Sequence, residues 1–155
     1  MPLVRILVDG YSLLHNWQEL APGKARHSEA ARDELINILR QYRDAIGTPI
    51  TIVFDGSAPK RGAQPAASSP ELEILYSSSS QTADDLIERA AARLRDFGDV
   101  LVVTNDFAER DTVFFGGAFS SSCENFIDDI EKTLRRQERE IEHHNRRERA
   151  RFKTH

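Results

Sequence analysis

Short apolar runs alternate along the chain with segments whose apolar residues recur at helical spacing. Leu3 to Val8 is nearly continuous apart from Arg5 and predicts a buried parallel strand. Ala31, Leu35, Ile38, Leu39, Tyr42 and Ile46 form a stripe that predicts a helix over 29–46, with Ser28 as N-cap and Gly47 as its stop. Ile50 to Phe54 and Leu72 to Tyr76 read as two further strands, separated by an aperiodic loop rich in Ser, Ala, Pro and Gly over 57–70. Thr82-Ala83-Asp84-Asp85 matches a capping box, and Ile87, Ala90, Ala91 and Leu94 supply the buried face of a helix that Gly98 closes. Val100 to Thr104 is another β-branched strand. A short helix is expected over 107–116, then an extended piece near Ala118-Phe119. Ser121-Ser122-Cys123-Glu124 reads as a second capping box, opening a helix with Phe126, Ile127, Ile130, Leu134 and Ile141 on one face. Beyond Ile141 there is almost no apolar residue until Phe152, so the end of this helix is expected to project or fray.

Strands alternating with helices predict an α/β sandwich on a mostly parallel sheet. Right-handed crossovers then bring successive strand ends to one edge, where ligands of such folds bind. Asp9, Asp55 and Asp106 fall at that edge by position, and the loop entering the 83–97 helix opens on it.

Composition changes this picture little. The chain has 155 residues, 39% hydrophobic and 30% charged, as expected of one ordinary globular domain. No apolar run approaches the roughly 20 residues of a membrane span, and the N-terminus lacks a signal-peptide layout. Cys123 is the single cysteine, which fits a reducing, cytoplasmic setting. The net charge of −4 conceals an asymmetry. Residues 132–155 carry nine Lys/Arg against four Asp/Glu, leaving twelve against twenty-one in residues 1–131.

Carboxylates beside a core are costly unless their charge is compensated. Asp9, Asp84 and Asp106 converging on one edge would suit a hard divalent cation, and oxygen-only ligation favours Mg²⁺ or Mn²⁺ over zinc. One ion or two would serve. Such an ion can activate water and stabilise a phosphodiester in flight. Asp85 reads either as the N3 cap or as a further metal ligand. Asp55 before Gly56 reads equally as a turn former or a site residue, and Asp111 as a fourth acid or a helix start. Ser12, Thr104 and Asn105 could order water or hold phosphate, and Glu88 could support Asp84 from one turn behind.

Five segments in order resemble the YacP-like branch of the NYN family, within the PIN-like ribonucleases. They are Leu7-Val8-Asp9-Gly10-Tyr11, Val53-Phe54-Asp55-Gly56, Thr82-Ala83-Asp84-Asp85 with Ile87-Glu88, Val103-Thr104-Asn105-Asp106, and Gly117-Ala118 with Ser121 and Glu124. The resemblance implies a three-layer, PIN-like (Rossmann-like) sandwich with a long C-terminal helix. It divides the chain into a nuclease domain over 1–135 and a basic helical extension or frayed tail over 136–155. It further implies a metal-dependent endoribonuclease acting on single-stranded RNA in decay or processing, with Asp9, Asp84 and Asp106 as the acidic site. Ser12 and Asn105 depart from the family pattern, which usually has Asn and Ser there.

Basic surface is needed to hold an RNA backbone. Lys60 and Arg61 in the loop and Arg135, Arg136 and Arg139 in the tail are the candidates. Interleaved glutamates offer a plain alternative for the tail, an exposed helix laced by i,i+4 pairs. Docking on a larger ribonucleoprotein is another. The competing function is therefore a non-catalytic RNA- or ribonucleoprotein-binding adaptor. A phosphohydrolase of small esters ranks last, because the chain has neither a Gly-rich phosphate loop nor a cap domain.

Overall fold

The computed structural model describes residues 2–56, 68–78, 80–106 and 117–153. Their elements run β1 (Leu3–Asp9), α1 (Gly10–His15), α2 (Glu29–Ile46), β2 (Ile50–Phe54), β3 (Leu72–Tyr76), α3 (Ala83–Leu94), β4 (Asp99–Val103), β5 (Phe119–Ser121) and α4 (Cys123–Lys153). The strands form one all-parallel sheet in the order β3-β2-β1-β4-β5. The strand order reverses at β1, so the crevice beyond its carboxyl end is the expected ligand site.

Strand alternation divides the core in two. Ile6, Val8, Ile50, Ile52, Phe54, Ile74 and Val103 face α1, α2 and the first turns of α4. Leu7, Val53, Val100 and Val102 face α3 through Ala83, Ile87 and Ala91. This is the three-layer α/β sandwich expected from the sequence. The strand and helix boundaries match closely as well. Ser28 caps α2 through its hydroxyl, and Gly47 ends it at φ 77°.

Three local features differ from expectation. The first is α1, which the sequence pattern did not reveal: six residues are too short to show a 3.6-residue period. Gly10 is its first residue and is fixed by packing, since a Cβ there would lie 2.5 Å from the Phe54 ring. The second is the start of α4. Ser121 belongs to β5, paired with Val103, so the cap moves to Ser122, whose hydroxyl accepts from the Asn125 amide at 3.2 Å. Third, α3 ends at Leu94, ahead of Gly98, which packs against Val4 and Pro2. The helix expected over 107–116, with Asp111, lies outside the described residues.

α4 remains helical to Lys153. It starts at the carboxyl edge of the sheet, and Asp129 already meets Tyr42 near the far end of α2. Residues 138–147 are all exposed, so the helix projects past the opposite end of the sheet. No helix among the described residues is long and apolar enough to cross a membrane.

Candidate functional site

Asp9 ends β1 at the reversal of strand order and caps α1. Its Oδ1 accepts from the Ser12 amide at 3.3 Å, and its Oδ2 accepts from the Thr104 hydroxyl at 3.5 Å. Burial is the main force on its carboxyl and pushes its pKa up to about 6. The Ser12 amide pulls it back, Asp84 raises it again, Thr104 lowers it, and Asp55 adds a further rise. Asp9, Asp84 and Asp55 therefore share one electrostatic neighbourhood, two of them from strand ends and Asp84 from the first turn of α3.

Asp84 occupies the second helical position of α3, where unpaired backbone N–H groups favour negative charge. Asp85 closes the capping box: its carboxylate accepts from the Thr82 amide at 3.2 Å, and its own amide donates to the Thr82 hydroxyl at 3.2 Å. The structural alternative for Asp85 is thus occupied. Asp55 is exposed and accepts from the Ser77 hydroxyl at 2.6 Å, while Ser77 also receives the Gly56 amide. Glu88 lies one turn beyond Asp84 and is half-buried.

Asp106 joins through its backbone. Its amide donates to the Thr104 hydroxyl at 3.1 Å, the same hydroxyl that reaches Asp9. Its side chain is exposed. Among the described residues, no three acidic, histidine or cysteine side chains stand close enough to cage an ion. The donor type nonetheless suits Mg²⁺ or Mn²⁺, since Asp9 is a partly buried carboxylate with the Thr104 hydroxyl on it and the charges of Asp84 and Asp55 near enough to act on it. Such ions keep several waters and complete their shell with substrate phosphate.

Ser12 and Asn105 are joined in one network. The Ser12 hydroxyl accepts the Asn105 amide at 3.0 Å and lies 3.5 Å from the Cys123 sulfur. Asn105 Oδ1 accepts the Cys123 amide at 2.7 Å, and Asn105 Nδ2 donates to Glu124 at 2.9 Å. These residues tie α1, the end of β4 and the start of α4 together around Asp9. Glu124 and Cys123 were not foreseen as partners of Asn105. The only sequence signal was their place at a helix start.

Of the expected RNA contacts, Lys60 and Arg61 lie outside the described residues. Arg135, Arg136 and Arg139 are exposed on α4. At a rise of 1.5 Å per residue they stand about 18–24 Å down the helix from its edge-side start. They therefore lie well down α4 from the end that adjoins Asn105 and Asp9.

The family model of the YacP-like NYN domain matches residues 6–155. The chain belongs to this family. It is 31% identical over 137 residues to YacP of Bacillus subtilis (strain 168), covering 88% of this chain and 80% of that protein. The crystal structure of Rae1 (YacP) from Bacillus subtilis superposes with a TM-score of 0.80 at 29% identity, covering 97% of this chain and 85% of that one. Its W164L mutant gives 0.76 at 30% identity, covering 90% and 82%. The NYN family is one of PIN-like nucleases, so the fold and the broad class follow from membership.

Proposed function

We propose that this member is a divalent-metal-dependent endoribonuclease that hydrolyses single-stranded RNA. The supporting observation is the placing of Asp9, a half-buried carboxyl at the topological switch point held by the Ser12 amide and the Thr104 hydroxyl, whose pKa is raised by burial first and by its neighbours Asp84 and Asp55 in addition. Such a cluster is favourable only when a cation or a proton neutralises it.

Asp9, Asp84 and Asp106 would hold Mg²⁺ or Mn²⁺. When bound, the ion supplies charge stabilisation and an activated water. The chain's own groups do the rest. The Ser12 amide and the Thr104 hydroxyl fix the Asp9 carboxylate, each on one oxygen. Thr104 also sets the Asp106 backbone. The Asn105 network holds α4 against this edge.

The test is cleavage of a labelled single-stranded oligoribonucleotide in Mn²⁺. Asp84→Asn is expected to lose cleavage by about 100-fold or more while keeping its fold by circular dichroism. Cleavage at the parent rate, or parent cleavage that persists in EDTA, contradicts the proposal.

The projecting part of α4 favours a second, compatible role. Its exposed mixed charges suit docking on a ribonucleoprotein. Removal of residues 143–155 would then reduce association with that particle and leave cleavage of a short oligonucleotide unchanged.

A further inference from the structure

An aromatic and cationic patch borders the acids on the α2 side of the sheet. Each of the three strand ends on this side supplies a polar residue to the edge and an aromatic beside it. β1 gives Asp9 and, after Gly10, Tyr11; β2 gives Phe54 and then Asp55; β3 gives Tyr76 and then Ser77. The Tyr11 and Phe54 rings lie 5.3 Å apart, and Phe54 stacks on Tyr76 at 5.6 Å. Arg32 of α2 donates to the Tyr11 hydroxyl at 3.1 Å and stands beside the Tyr76 phenol.

The outer part of the patch is two imidazoles. His27 packs on Tyr11 with ring centres 4.4 Å apart, and its Nε2 lies 3.2 Å from Nε2 of His15. Both histidines are exposed. The 16–28 segment has a separate anchor. The Arg26 guanidinium already clamps it through the carbonyls of Leu14, Trp17, Ala21 and Lys24.

Surface rings with a cationic group beside them bind single-stranded nucleic acid, through stacking and phosphate contact. Here the imidazoles of His15 and His27 are exposed, Tyr11, Tyr76 and Arg32 are partly buried behind them, and Phe54 is fully buried beneath. The patch opens within two residues of Asp9, whereas the tail arginines lie well down α4. We propose that His15, His27, Tyr11 and Arg32 form an RNA-binding subsite for a nucleotide flanking the one cut at Asp9. The proposal deepens the nuclease reading and rests on it for the flanking position only.

The test is binding of a labelled single-stranded oligoribonucleotide in EDTA, at fixed pH and low salt, with parent and His15→Gln/His27→Gln protein. The two positions are exposed, so the variant should fold, and its melting temperature checks this. The affinity of the variant is expected to fall about tenfold or more. In Mn²⁺ its KM should rise with kcat at saturation unchanged. Equal affinity of the two proteins, or no RNA binding by the parent, overturns the subsite. So does a parent that binds Zn²⁺ through the pair, with the variant losing zinc and keeping full RNA affinity. Parent that never cuts RNA but binds it through the histidines defeats the nuclease reading and leaves the subsite standing.

Discussion

The hydroxyl of Ser12 accepts the backbone amide of Asn105 at 3.0 Å, and so links the first turn of α1 to the end of β4 beside Asp9. Ser12→Ala removes the acceptor and leaves a part-buried N–H without it. An unmade bond of this kind costs about 1–3 kcal/mol. The variant should melt several degrees lower, and its Mn²⁺-dependent cleavage should fall as the end of β4, which carries Thr104, loosens beside Asp9. An unchanged melting temperature would show that water replaces the hydroxyl.

Asn105 uses both ends of its amide, accepting from Cys123 and donating to Glu124. Asn105→Asp keeps the acceptor and sets a carboxylate against Glu124. A loss of about 1–2 kcal/mol is expected in urea unfolding. Adding Glu124→Gln should restore much of it, since the glutamine amide can donate to the new carboxylate. Absence of rescue would mean that the loss does not arise from this pair.

Gly10→Ala tests packing against helix propensity. Alanine normally stabilises a helix by about 1 kcal/mol relative to glycine. Here its Cβ would lie 2.5 Å from the Phe54 ring, so the sign should reverse, to a loss of about 1–3 kcal/mol. Phe54→Leu in the same chain should reduce the penalty of the alanine. Denaturant midpoints of the four proteins measure it.

Much of this arrangement was legible in the sequence, because it follows from local rules. Ser28 and Gly47 bound α2, and the parallel-sheet rule sets Asp9, Asp55 and Asp106 at strand ends on one edge, with the loop before Asp84 opening on it. What the sequence hid was tertiary. Asn105 reads as a water- or phosphate-binding amide until β5 places the start of α4 beside it. Ser121 looks like a cap until the β5 ladder claims it. His15 and His27 sit in segments without period, and only the close approach of α1 and the loop before α2 pairs them. The sequence also leaves open how far the tail arginines stand from the acids, since that depends on the direction of α4.

Asp9 also sets a pH dependence. Its carboxyl titrates near 3.8 when unfolded and near 6 when folded. The folded state therefore holds a proton that the unfolded chain gives up between those values. The contribution is favourable below pH 3.8, fades as pH rises through the window, and is lost above about 6, a swing of about 2–3 kcal/mol. Without divalent ions, Asp9→Asn should be more stable than the parent at pH 7.5, with the advantage shrinking towards pH 4. Urea unfolding in EDTA at both pH values measures this. A variant less stable than the parent at pH 7.5 would mean that Ser12 and Thr104 outweigh burial.

The central claim is that the Asp9 carboxylate anchors a divalent cation at this edge. Calorimetric titration of Mn²⁺ into parent and Asp9→Asn protein at pH 7.5 tests it most directly. The account predicts saturable binding by the parent, weaker at pH 5.5 where Asp9 holds its proton, and none by the folded variant. Equal Mn²⁺ binding by the two proteins would contradict it.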